Sequence, residues 1–540
     1  MTWRIHSAGS HSPQLIISRM NNDSYSKRQT YIVLGLILVV GALLRIYFGP
    51  GLSYADDFAY VKCAFRLNEV GLGTYLSSMS NYYDGRTAVV FPLALVIKIF
   101  GANERAILCV PLLFSLGAIL CAFFLGKILY NQRAGSFAAL IIAFIPQEIS
   151  KLGTAVLPDT FIPLYSGLSL LCLVMGMKYK HKGILELLLY IFSGFFLFCA
   201  FEARITCGII ILPLIAISIF SKQRNYKAIL IPASSFFALI VFAWIVYLLF
   251  EADFLFKYKM AGKYAAFTTH RRTSGLWQYT QVMMPIFSPI SKSFISSIFG
   301  ILGYLVWPAF LYSIFRIRKH EYYRVPFFSF AVLFVLFEFG STSLTNYEPI
   351  FKVARFLSVL NIPAALLVAF SIEDIIQWKK YSKLYSCLTK GIIFLIITCY
   401  LLATGFYLCI KKRVNYRSDL EAYRYVFSVL GKLKHSQYIY VTHWRWSLRG
   451  KVYMRLFAPA TSTFDFSELS GTPIDSIHQA IVVLDTSFFT PFGEYRISWE
   501  DFDPALKDIP LKVPEGWKLL FTAEYPPHRN RSKVYVLYAP

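Results

Sequence analysis

Ala88-Val-Val-Phe-Pro-Leu-Ala-Leu-Val-Ile-Lys-Ile-Phe100 decides how this chain is laid out. The run is apolar, holds Pro92 and Lys98, and stops at Gly101-Ala-Asn-Glu-Arg105. It is too short to cross a hydrocarbon layer of ~30 Å, which takes about 20 residues. It therefore reads as an interfacial helix that stays on one face of the membrane. Working outward from that choice, the apolar runs are Tyr31–Phe48, Ile107–Gly126, Gly135–Ile149, Phe161–Met177, Ile184–Phe201, Ile205–Phe220, Ile229–Phe250, Phe294–Phe315, Val325–Gly340, Ala354–Ile372 and Gly391–Ile410. With Ala88–Phe100 left uncrossed, Lys127, Arg133, Lys178–Lys182, Lys222–Lys227, Arg316–Lys319 and Lys379–Lys383 all fall on the face of the basic N-terminus. The positive-inside rule makes that face cytoplasmic. Had the run crossed, Lys178–Lys182 and Arg316–Lys319 would lie outside.

Composition agrees. Of 540 residues, 56% are hydrophobic and 17% aromatic, a balance no water-soluble domain of this length carries. The expectation is an α-helical polytopic membrane protein with about eleven transmembrane helices plus external interfacial helices. The net charge of +24 does not indicate a nucleic-acid partner, because the basic residues cluster between spans, where topology and anionic lipid heads account for them. The nine cysteines form no CxxC and no Cys/His spacing for zinc, and they build no disulfide framework. Residues 1–30 read as a cytoplasmic tail before an uncleaved anchor, and 31–410 as the transmembrane part, with external loops 50–105 and 251–293. Residues 411–540 read as a soluble α/β domain outside the membrane. Its helix is expected over Asp419–Lys434 and its strands over Gln437–Thr442, Ala480–Asp485, Lys518–Ala523 and Lys533–Tyr538. A bacterial inner membrane is the expected location.

The external face gathers the chemistry. Asp56 and Asp57 stand together in a chain with 54 Lys+Arg and 30 Asp+Glu. A helix N-terminus favours such acids in any case, but an acid pair at the mouth of a span is costly unless wet, paired or used. Asp159, after Pro158, opens the run Phe161–Met177, where it is either a cap or a second functional acid. Arg204 and Arg355 flank apolar runs, either as snorkelling span-end residues or as anion ligands. Loop 251–293 carries Lys257, Lys259, Lys263, Arg271, Arg272 and Lys292 against Glu251 and Asp253. Basic external loops run against the usual bias and suit an anion at the membrane surface.

Five segments share more than composition with a known group. They are Asp56-Asp-Phe58, Tyr82-Tyr-Asp-Gly-Arg86, Phe100-Gly-Ala-Asn-Glu-Arg105, Ala155-Val-Leu-Pro-Asp159 and the stretch Arg355–Pro363. Together they resemble the GT-C membrane glycosyltransferases that use polyprenyl-phosphate sugars, the lipid A aminoarabinose transferase and protein O-mannosyltransferase group. The resemblance is specific over roughly 50–220, looser to 375 and architectural beyond 411. Two departures stand out: Gly85 replaces a Lys, leaving Arg86 as the nearby cation, and the order Pro158-Asp159 shifts the second acid by one place.

The resemblance implies an inverting transfer of sugar from a polyprenyl-phosphate donor to a hydroxyl of a glycan, lipid or protein on the outer face. Asp56 or Asp57 would be the base; chemistry alone does not choose between them. Asp159 would orient the acceptor, hold the base in place, or share a divalent metal with Asp56, although no cofactor is required. Arg204, Lys352 and Arg355, with Arg271 and Arg272, are the candidates for the leaving phosphate. Tyr83, Asp84, Arg86 and Glu202 are the candidates for positioning substrate. Two competing readings are a ligase or polymerase using a diphosphate-linked glycan, and a transporter of lipid-linked sugar. A transporter would show polar residues near midplane and two similar halves, neither of which the sequence displays.

Overall fold

A computed structural model describes residues 27–49, 51–52, 55–150, 152–180, 182–221, 225–271, 277–283, 302–341, 352 and 354–378. Beyond these it describes 392, 395, 424–430, 432, 437–441, 452–453, 455–456, 462–465, 479–485, 516, 518–524 and 533–540. Helix α1 is Lys27–Phe48, and α2, Ala55–Ser77, is kinked at Gly71. Helix α3, Thr87–Phe100, is the decisive run of the sequence: its 14 residues give a rod of about 21 Å. It buries Val89, Val90, Leu93, Ala94 and Ile97 against its neighbours while Leu95, Ile99 and Phe100 stay exposed, the pattern of a helix lying on the bundle.

The bundle continues with α4 (Glu104–Leu129), α5 (Gln132–Ala143), α6 (Pro146–Ser150), α7 (Pro158–Lys178) and α8 (Ile184–Ala203). Next come α9 (Ile211–Ile219), α10 (Lys227–Leu249), α11 (Phe256–Arg271) and α12 (Gln278–Met283). Helices α13 (Leu302–Arg316), α14 (Arg324–Phe339) and α15 (Asn361–Trp378) follow. Among the described residues seven helices are long and apolar enough to cross a membrane, which makes this an integral membrane protein. Of the expected span Gly391–Ile410 only residues 392 and 395 are described.

Two expected spans are broken. Gly135–Ile149 divides into α5 and α6, because Pro146 starts a new helix and its ring is incompatible with a helical residue before it. The run 205–220 starts as a 3₁₀ turn, Ile205–Ile210, and becomes α-helical only from Ile211. Small residues close the bundle where driving force from water is absent. Gly126 of α4 meets Gly135 of α5 so closely that an added Cβ would lie 2.7 Å from the Gly135 Cα. Helices α7 and α8 are joined by reciprocal hydrogen bonds in which Ser169 and Ser193 each donate to the other's carbonyl at 2.8 Å.

The C-terminal region holds a mixed five-stranded sheet of β1 (Gln437–Val441), β2 (Ser462–Asp465), β3 (Ala480–Asp485), β4 (Lys518–Glu524) and β5 (Lys533–Ala539). The order is β2-β1-β3-β5-β4, parallel among β2, β1 and β3 and antiparallel through β5 and β4. Strand β2 was not anticipated: Ser-Thr-Phe-Asp is too short and too polar to register as an alternating run.

Candidate functional site

Three polypeptide breaks build the site at one end of the bundle. Helix α7 begins with Pro158 at its first position, where a missing N–H costs nothing. The preceding loop is tied down by Thr160, whose hydroxyl lies 2.8 Å from the Leu152 carbonyl and 2.9 Å from that of Ala155. Asp159 is thereby held in the first turn, where the helix dipole favours its charge. Arg204 sits in extended backbone between α8 and the 3₁₀ turn that follows. Arg355 lies in the 3₁₀ turn Ala354–Leu360 that leads into α15. Asp56 and Asp57 occupy the first turn of α2.

These four segments converge on one chain of alternating charge. The Arg204 Nη2 donates to Asp159 Oδ1 at 2.6 Å, with both side chains nearly fully buried. The other oxygen of Asp159 lies 3.4 Å from Arg355 Nε, too loosely aligned for a hydrogen bond. Arg355 Nη2 donates to Asp56 Oδ2 at 3.0 Å, and the Tyr83 hydroxyl donates to Asp56 Oδ1 at 2.9 Å. Phe356 lies under the Arg204 guanidinium, 4.0 Å from carbon to ring centre. Burial pushes the Asp56 carboxyl up, but Arg355, Tyr83 and Arg86 outweigh it and hold Asp56 below its ordinary 3.8. Asp56 is 29% exposed at its side chain, while Asp57 is fully buried.

The other sequence candidates fall around this chain. Arg86 donates to the hydroxyls of Tyr60 and Tyr82 and stacks on both rings. Glu202 accepts from Lys257 at 2.9 Å and from Thr87 at 2.5 Å. Burial pulls the Lys257 amine below its ordinary 10.5, with Glu202 opposing. Asp84 closes its own turn instead, accepting from the Ser80 and Asn81 amides and from Arg66. Lys352 is paired with Glu338 at 2.5 Å, both without exposure, so its charge is already matched there. The Arg271 side chain and all of Arg272 lie outside the described residues. No group of three or more His, Cys, Asp or Glu gathers for a metal among the described residues, and the carboxylates of Asp56 and Asp159 share a guanidinium.

Sequence reasoning missed a second polar cluster. Arg45 Nε donates to Ser115 Oγ at 2.8 Å, Ser115 to Glu148 at 3.0 Å, and Asn361 Nδ2 to Glu148 at 2.9 Å. Arg45 and Glu148 are buried inside apolar runs. A charge in such a run is a flag by itself, and that signal would have found both. Gly167, Leu170, Ile210, Pro213, Leu333 and Ile362 line a small, partly open apolar pocket among the helices.

Residues 88–247 match the family described as dolichyl-phosphate-mannose-protein mannosyltransferase. The chain superimposes on ArnT from Cupriavidus metallidurans, solved bound to undecaprenyl phosphate, with a TM-score of 0.62 and 10% identity, covering 96% of this chain and 100% of that one. The chain shares its fold. The chain also resembles the Archaeoglobus fulgidus oligosaccharyltransferase. Tethered to an acceptor peptide, that enzyme matches at TM-score 0.54 and 13% identity over 81% of this chain, which spans 64% of its length. The same archaeal enzyme, AglB, with an inhibitory peptide and a dolichol-phosphate matches at TM-score 0.53 and 13% identity, covering 86% of this chain and 70% of that one. No curated protein sequence matches the chain.

Proposed function

We infer that the chain moves a sugar from a polyprenyl-phosphate donor to an acceptor hydroxyl, with inversion, at the outer face of a bacterial inner membrane. The observation that carries this reading is the chain Asp56–Arg355–Asp159–Arg204, two acids alternating with two arginines at the ends of apolar helices. The two arginines suit the phosphate. Two of the solved structures that share the fold hold undecaprenyl phosphate and a dolichol-phosphate, the lipid phosphate that such a donor would leave behind. As the acceptor oxygen attacks the anomeric carbon, the bond from that carbon to the phosphate oxygen breaks and its electron pair leaves with the phosphate. Arg204 and Arg355 stabilise the growing charge. Asp56 takes the acceptor proton, because it is reachable and ionised where Asp57 is enclosed. Asp159 holds both arginines in place.

In this reading residues 1–30 are cytoplasmic, 31–410 form the membrane part, and 411–540 lie outside. The acceptor is a glycan, a lipid or a protein. The test is turnover of undecaprenyl-phosphate-linked sugars by the purified protein. Asp56→Asn should abolish turnover while donor binding survives. Full turnover in both Asp56→Asn and Asp57→Asn would sink the assignment of an acidic base.

A further inference from the structure

The C-terminal region reaches back onto the helix that carries the acid pair. Arg424 Nη2 donates to Glu104 Oε1 at 2.5 Å. Its guanidinium sits over Gly51, whose φ of 76° disfavours a side chain and whose missing Cβ would lie 2.3 Å from Arg424 Nη2. The Tyr453 ring stacks on Phe427, with 5.6 Å between centres, and meets Phe58 edge-on at 5.2 Å. The Tyr453 hydroxyl is 3.4 Å from the Leu52 carbonyl. Arg455 Nη2 lies 2.6 Å from Glu69 Oε1, and its guanidinium covers the Phe65 ring. Phe58, Phe65 and Glu69 are seven and four residues apart, so they share one face of α2. Asp56, two residues before Phe58, lies close to the opposite face, where Arg355 receives it. Helix α2 is thus clasped between the C-terminal region and the charged chain of the site.

We propose that Tyr453 and Arg424 are positioning residues for the transfer reaction: they hold the first turn of α2 so that Asp56 meets Arg355 and the acceptor. The proposal rests on the glycosyl-transfer reading above. Misplacing a reacting group by about 1 Å costs on the order of 10²-fold, so loosening this grip acts on kcat and not on donor binding.

The experiment uses the full-length protein in lipid nanodiscs with an undecaprenyl-phosphate-linked sugar that the wild type turns over. Tyr453→Ala should lower kcat at least about tenfold while donor KM stays within about twofold. Tyr453→Phe should restore wild-type kcat, since the ring and not the hydroxyl bears on Phe58. Arg424→Glu and Glu104→Arg should each lower kcat, and the double exchange should recover it. Wild-type kcat in Tyr453→Ala, or equal loss in Tyr453→Phe, overturns the proposal. Hydrogen exchange of residues 55–62 gives a readout independent of turnover. Tyr453→Ala, or Arg424→Gln where the former does not fold, should speed exchange there, and unchanged exchange overturns the proposal. If the wild type turns over no such donor, the functional reading fails while the exchange experiment still decides whether the clasp holds α2.

Discussion

Two buried acid–arginine clusters stand at opposite ends of helix α15 and its leading turn, and they are built differently. At the far end Asp374 is completely engaged. Its Oδ1 accepts from Tyr130 at 2.5 Å; its Oδ2 accepts from Tyr312 at 3.2 Å and Tyr323 at 3.1 Å and contacts Arg316 at 2.7 Å. At the site end Asp159 has one firm partner and one loose one, and Arg355 is divided between two acids. One oxygen of Asp159 has no hydrogen bond; the Nε atoms of Arg204 and Arg355, and of Arg316 at the far end, have none either. From Asn361 to Asp374 the helix rises about 20 Å, so the clusters do not share partners. A carboxylate ringed by tyrosines joins helices together, whereas two arginines divided among acids that do not saturate them are placed to meet an anion that arrives later.

Mutations at the two ends should therefore fail in different ways. The largest effect is expected for Asp56→Asn, a loss of about 10²–10⁴-fold in kcat without a change in melting temperature. Arg204→Gln and Arg355→Gln should each cost about 10²–10³-fold in kcat, as for other donors aimed at developing charge. If Arg316→Gln cost as much, the contrast between the ends would collapse. Asp374→Ala should instead destabilise the fold, read as a lower melting temperature in detergent, because it leaves three tyrosines and the partly exposed Arg316 without their acceptor. Its folded fraction should keep wild-type kcat.

The smallest effect is in the pH profile. Asp56 is held below 3.8, so its charge is present above that pH and lost only as pH falls through a lower value. The acid limb of kcat/KM due to Asp56 should lie below pH 3.8 in the wild type. Arg355→Gln leaves burial less opposed and should move the limb to higher pH. A limb that stays put would show that Arg355 does not govern the charge of Asp56.

The comparison also shows what could be read from the chain alone. Apolar run length and the clustering of Lys and Arg determined that this is a polytopic membrane protein and that Ala88–Phe100 is too short to span, because both follow from the cost of placing polar groups in hydrocarbon. Asp56, Asp159, Arg204 and Arg355 were visible as charges at the edges of apolar runs. Their partnership was not: Asp56 and Arg355 are 299 positions apart, and nothing local in either segment encodes the other. The tertiary structure alone divided cations of equal formal charge into those already neutralised, such as Lys352 on Glu338, and those with donors still unspent, such as Arg204. It alone separated Asp56 from Asp57, because neighbours in a helix turn point in directions about 100° apart, and only packing decides which direction is open.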